Sequence, residues 1–174
     1  MQYKNLEELI EVVRILRSEN GCPWDREQTH TSLRPNMIEE AYEAVDAIDE
    51  KDPAHLREEL GDVLLQVLLH SQIASEHNEF TLEDVAKELK DKLIHRHPHV
   101  FGNTKVNSAD DVVVNWDKLK QEEKTDRKSQ MDGISISQSA LMTAQKISKR
   151  AVKVGFEWDK RKTLKECIES EFKE

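Results

Sequence analysis

Residues 38–69 run Ile38-Glu39-Glu40-Ala41-Tyr42-Glu43-Ala44-Val45-Asp46-Ala47-Ile48-Asp49-Glu50-Lys51-Asp52-Pro53-Ala54-His55-Leu56-Arg57-Glu58-Glu59-Leu60-Gly61-Asp62-Val63-Leu64-Leu65-Gln66-Val67-Leu68-Leu69. They read as two helices joined by one turn. Ile38, Ala41, Val45 and Ile48 recur at helical spacing, which predicts a helix from about Pro35 to about Asp49. Asp52 then offers a side-chain cap and Pro53 a first helical residue that needs no N–H partner. From Val63 to Leu69 the second helix is apolar on nearly every side, as expected at the centre of a bundle, so the core is placed there.

Working outward, Leu6, Leu9, Ile10, Val13 and Leu16 mark an opening amphipathic helix that should end near Asn20-Gly21, with Gly21 as its C-cap. Cys22-Pro23-Trp24-Asp25 reads as an irregular link, because proline restricts the residue before it. Thr81-Leu82-Glu83-Asp84 resembles a capping box ahead of Val85, Leu89 and Leu93. His97-Pro98 ends that helix. Ser108-Ala109-Asp110-Asp111 repeats the start signal before Val112, Trp116 and Leu119. A further helix, about Ala140 to Val154, should stop at Gly155, and Thr163 to Glu174 reads as helical.

Five Gly and four Pro in 174 residues leave too few turn signals for a β-sandwich or barrel. The expected fold is all-α, a helical bundle around the hairpin. Residues 1–121 read as the core domain, 122–138 as a charged flexible link, 139–158 as an additional helix of the same domain, and 159–174 as a helical tail that starts a further segment. A formal charge of −9 argues against nucleic acid polymers as partners. No run of about 18 apolar residues and no apolar leader core occur, so the expectation is a cytoplasmic protein with no membrane partner. Cys22 and Cys167 have no CxxC spacing and read as incidental thiols in a reducing compartment.

The chemistry lies in the acids. On the first helix of the hairpin Glu39 and Glu40 share a face with Glu43, and Glu59 and Asp62 repeat the spacing on the second. Counted from Asp52, and at about 1.5 Å per residue, the pairs lie within roughly 3 Å of the same height, so they should face one another. Two like charges about 4 Å apart cost on the order of 4 kcal/mol at a protein's effective dielectric, so a cation must offset the cluster. An all-oxygen donor set suits Mg²⁺, with Mn²⁺ as a substitute, and Mg²⁺ keeps positions open for water and phosphate oxygens. The spacing therefore points to phosphate chemistry at Glu40, Glu43, Glu59 and Asp62, with Glu39 beside them.

Three other groups admit two readings each. Lys92 and Arg96 either offset the dipole at a helix C-terminus or hold phosphates beyond the metal's reach. Trp24, Phe101 and Trp116 are either core aromatics or stacking platforms for a base. The histidines His95, His97 and His99 lack the partners that a zinc site needs. A ferritin-like di-iron site is disfavoured too, because its Glu-x-x-His spacing occurs only at Glu27 to His30, outside the hairpin. The chain has no P-loop and no Ser/His/Asp constellation.

Taken together, Gly21-Cys22-Pro23-Trp24-Asp25-x-Glu27-Gln28-Thr29-His30, Ile38-Glu39-Glu40-x-Tyr42-Glu43-x-x-Asp46-Ala47-Ile48, Glu58-Glu59-Leu60-Gly61-Asp62 and Arg96-His97-Pro98-His99-Val100-Phe101-Gly102 resemble the MazG nucleoside triphosphate pyrophosphohydrolases. The likeness covers about Leu6 to Trp158. It implies a Mg²⁺-dependent enzyme on a dimeric α-helical scaffold that converts nucleoside triphosphates, NTP or dNTP, to the monophosphate and pyrophosphate. Broad specificity is expected, in house-cleaning or control of a nucleotide pool. The resemblance carries Glu40, Glu43, Glu59 and Asp62 over as metal ligands and Glu39 as the remaining signature acid. Lys92, Arg96 and Trp116 match nucleotide-contacting positions. His95 stands where relatives often carry a second Arg, and Ser139 replaces a common Pro. Phe156-Glu157-Trp158-Asp159 followed by Glu169-Ser170-Glu171-Phe172-Lys173-Glu174 faintly echoes Cys22 to Glu43, as the start of a second copy would, but chance similarity in an acidic helix is the better account.

The alternative of another class is a catalytically weak helical interaction module that retains a nucleotide and metal site. Assembly follows from the run Val63 to Leu69 with the stripes Leu6 to Leu16 and Leu82 to Leu93: a helix apolar all round needs neighbours all round, so a homodimer is expected to supply part of the cover, the alternative being this chain's own later helices, Val112 to Leu119 and Leu141 to Val152.

Overall fold

A computed structural model describes residues 3–123, 129, 131–156 and 164–172 of the chain. Among them every regular element is a helix: α1 (Lys4–Leu16), α2 (Pro23–Glu27), α3 (Arg34–Glu50), α4 (Pro53–Glu76), α5 (Leu82–Arg96), α6 (Pro98–Phe101), α7 (Ala109–Glu122), α8 (Ala140–Lys153) and α9 (Leu164–Glu171). The all-α expectation holds. The chain divides into two compact units, Met1–Lys105 and Val106–Glu174. The first contains the acid-bearing hairpin, and the second contains Trp116.

Within the first unit, α3 and α4 form the expected antiparallel hairpin. Lys51 turns the chain in the left-handed region (φ 59°). Asp52 then caps α4, its carboxylate accepting from the amides of Ala54 at 2.8 Å and His55 at 3.2 Å. Thr81 and Asp84 form the capping box that starts α5. Both signals are read within one helical turn, which is why sequence alone revealed them.

Two expectations at the start of the chain need correction. The opening helix ends at Leu16, not near Asn20-Gly21. Gly21 is no left-handed cap: its backbone folds against α1, the Cys22 amide donating to the Leu16 carbonyl at 2.8 Å, and a Cβ on residue 21 would collide with the carbonyl oxygens of Ile15 and Leu16. Nor is Cys22 to Asp25 irregular, because Pro23 starts the short α2 from an extended Cys22. Proline at a first helical position gives up an N–H that has no helical partner anyway.

The buried core comprises Val13, Leu33, Leu68, Leu69 and Ile73, with Leu9, Leu64, Leu65 and Leu82 packed against it. It lies toward the later half of α4, further along than the expected centre at Val63–Leu69. Val63, Leu64, Leu65 and Val67 are only half-buried within one chain. Arg17 pins the opening segment to this core. Its side chain is almost fully buried, holds Glu76 of α4 with two bonds (2.7 and 3.0 Å), and donates to the carbonyls of Asp25 and Gln28.

In the second unit, Ser108 Oγ accepts from the Asp111 amide at 3.1 Å at the start of α7. Ser139 caps α8 through the Met142 amide, and Gly155 follows that helix with φ +83°. Arg150 of α8 donates to the Asp132 carbonyl at 2.8 Å. The expected flexible link falls partly, at 124–128 and 130, outside the described residues. The same holds for 157–163 and 173–174, which carry most of the echo of Cys22 to Asp25 and both ends of the tail.

Candidate metal and nucleotide site

The site is built from facing turns of α3 and α4. On α3, Glu40 and Glu43 lie on the side that also carries the buried Ala44 and Ala47, small residues that let the two helices approach. On α4, Glu59 sits two turns into the helix and is only 9% exposed. One ligand oxygen from each of Glu40, Glu43 and Glu59 falls within 4.8 Å of the others. Three carboxylates from two helices thus converge, which the turn arithmetic anticipated and only the packing of the hairpin achieves.

The remaining candidates stand around this centre. Half-buried Asp62 follows Glu59 by one turn, and its charge acts on Glu40. Glu39 is exposed and lies outside the three-residue cluster, though its charge also reaches Glu40. Burial first, then the charges of Asp62 and Glu43, a hydrogen bond shared with Glu43, and the charge of Glu39 push the Glu40 carboxyl above its ordinary range. An acid whose ionised form is disfavoured by five such influences sits where a cation would relieve the repulsion.

Glu59 has one neighbour of opposite character. His55, one turn earlier on α4, brings Nε2 within 3.1 Å of Glu59 Oε1 while Nδ1 bonds Glu50 Oε2 at 2.9 Å. The Glu50 bond, aided by the charges of Glu50, Glu59 and Asp52, holds the His55 imidazole above its ordinary range. His55 was not singled out from the sequence, although its place four residues before Glu59 on a helix was a usable signal.

Lys92 and Arg96 lie on α5, Lys92 exposed and Arg96 buried in the last turn. A cavity of about 440 Å³ is lined by Leu6, Ile10 and Val13 of α1, Leu68 and Ser75 of α4 and Leu82 of α5. It therefore marks the side of α4 that α1 and α5 cover. Leu68 follows Glu59 by nine residues, two and a half turns, so the carboxylates occupy the opposite side. The structure brings the acids together on the α3 side and places the two cations on a helix packed against the other. Trp116 is half-buried on α7, in the second unit.

The hairpin coincides with a family match. Residues 28–101 fit the family model described as the MazG nucleotide pyrophosphohydrolase domain. A crystal structure of a mazG-related protein from Thermotoga maritima superposes with a TM-score of 0.55 at 30% identity, covering 68% of this chain and 98% of that one. This chain belongs to the MazG family. Among MazG relatives, the nucleoside triphosphate pyrophosphohydrolase/pyrophosphatase MazG of Thermotoga maritima is 48% identical over 97% of this chain and 65% of its own length. The nucleoside triphosphate pyrophosphohydrolase of Escherichia coli K12 is 43% identical over 88% of this chain and 59% of its own length. The chain thus spans under two thirds of the length of these MazG relatives. No helix among the described residues is long and apolar enough to cross a membrane.

Proposed function

We propose that the chain hydrolyses nucleoside triphosphates, NTP and dNTP alike, to the monophosphate and pyrophosphate with Mg²⁺, Mn²⁺ serving as a substitute. The observation that carries this reading is the convergence of Glu40, Glu43 and Glu59 within 4.8 Å. Its support is the membership of a family whose similar members are named for that activity. Hard oxygen donors without Cys or His, one buried and one with a raised pKa, fit a divalent ion of this kind. Glu40, Glu43, Glu59 and Asp62 would hold it. When bound, such an ion withdraws charge from phosphate oxygens and lowers the pKa of an attacking water.

The chain's own residues do the rest. The buried Glu59 is anchored by His55 from its own helix, so the α4 side of the cluster is set before a ligand arrives. Glu39, exposed at the rim, orients the attacking water or holds a further ion. Lys92 and Arg96 bind phosphates. Because α5 covers the far side of α4, these cations serve the acid cluster of a second chain in a homodimer. The half-buried Val63, Leu64, Leu65 and Val67, together with the exposed Ile38, Tyr42, Val45 and Ile48 of α3, support an apolar interface of this kind.

Two measurements test the reading. Purified protein given mixed triphosphates and Mg²⁺ should release pyrophosphate, and orthophosphate as the sole product would overturn it. Light scattering at micromolar concentration should give twice the mass of one chain; a fully active monomer would end the shared-site proposal.

A further inference from the structure

The α3-facing side of α4 does not end its polar character at Asp62. Gln66 follows Asp62 by four residues and Glu59 by seven, so the three share one side of the helix. Gln66 is only 4% exposed, and its Oε1 is buried with no hydrogen-bond partner. The contrast with its neighbour is informative. Ser71, equally buried on α4, donates to the Val67 carbonyl at 2.8 Å. Buried acceptors are nearly always satisfied, because each one left unmade costs the full desolvation of the group. An apolar residue at position 66 would avoid that cost, so a glutamine here calls for a donor that arrives from outside the fold.

Direction narrows the choice. A long side chain in a helix leans toward the turn before it, and the turn before Gln66 carries Asp62. We propose that Gln66 is a positioning residue of the site, its Oε1 accepting a hydrogen bond from water carried by the divalent ion that Glu40, Glu43, Glu59 and Asp62 would hold. The inference rests on the metal-dependent reading above. Water on a small divalent cation is a strong donor, and Mg²⁺ retains several such waters when protein carboxylates bind it. Gln66 thereby fixes the orientation of that water and of the ion without touching the ion itself.

Binding of Mn²⁺, followed by calorimetry without nucleotide, separates this from a packing role. Gln66→Met keeps the volume and removes the acceptor. It should melt at the same temperature as the unsubstituted protein or higher, while its Mn²⁺ affinity falls by about tenfold or more. Gln66→Glu keeps an acceptor in place and should restore the affinity. Unchanged Mn²⁺ affinity in Gln66→Met overturns the inference and leaves the metal reading standing. A fall in melting temperature that tracks the lost affinity in both variants also overturns it, since Gln66 would then act through folding alone. If the unsubstituted protein binds no Mn²⁺, the metal reading fails and takes this inference with it.

Discussion

The two sides of α4 follow opposite rules. Toward α1 and α5 the helix presents Leu68, 3% exposed, to a core it shares with Val13 and Leu82. The opposite side carries Glu59, Asp62, Gln66 and His70, one polar group per turn. The first side stabilises by removing apolar surface from water, and the second spends part of that stability on like charges and an unmatched acceptor. One helix can carry both because its sides are covered by different neighbours. Packing on the first side fixes the helix that carries the second.

The sharpest way to break the contrast is at Glu59. Glu59→Gln should lower pyrophosphate release by a hundredfold or more while the melting temperature stays level or rises, because a like charge leaves the cluster; about a hundredfold is the upper range for losing a group that only hydrogen-bonds a metal ligand. Retained turnover would remove Glu59 from the ligand set. Leu68→Ala tests the other side. It should cost about 3 kcal/mol in denaturant unfolding yet leave Mn²⁺ affinity unchanged in the folded fraction, as a cavity in a packed core does. Loss of metal affinity in parallel would show that the two sides are not separable.

A smaller effect is expected at the turn that aligns both sides. Asp52→Ala deletes the α4 cap and should cost about 1 kcal/mol, read as a lower midpoint in urea. The smallest concerns the far end of the polar side, where His70 Nδ1 lies 2.7 Å from His30 Nδ1 with the rings parallel to within 1°. One nitrogen must donate and the other accept, so two charged rings cannot make this bond. Burial first, and then the charge of His30, lower the His70 pKa below its ordinary 6.5. The unfolded chain therefore binds the proton more readily. The stability held by the neutral pair is present above pH 6.5 and is lost as pH falls through the lower folded value. Thermal scans should show a melting temperature that falls as pH drops through that window, a fall that His70→Gln abolishes. An equal drop in the variant would assign the effect to other groups.

Much of this was legible in the residues. The caps at Asp52 and Thr81, the helical stripes and the spacing of the acids within each helix all rest on relations within a turn or two, so sequence spacing encodes them. Gly21 and Gln66 were not legible in the same way. A glycine before Cys-Pro looks like a helix cap until the chain is seen folded against the Leu16 carbonyl. Nothing in the spacing of the run Val63 to Leu69 marks Gln66 apart, and only the fold shows its oxygen buried.

By itself, the sequence determined an all-α chain with a carboxylate-bearing hairpin, because hydrogen bonding along a helix and the period of its side chains are local properties. Only the tertiary structure decided that Glu59 is buried, that its oxygen meets those of Glu40 and Glu43 within 4.8 Å, and that α5 with Lys92 and Arg96 covers the opposite side of α4. Those facts depend on how far apart two helices pack and which sides they turn to each other. Small residues such as Ala44 and Ala47 allow that close approach, and the neighbours competing for each side of α4 settle it.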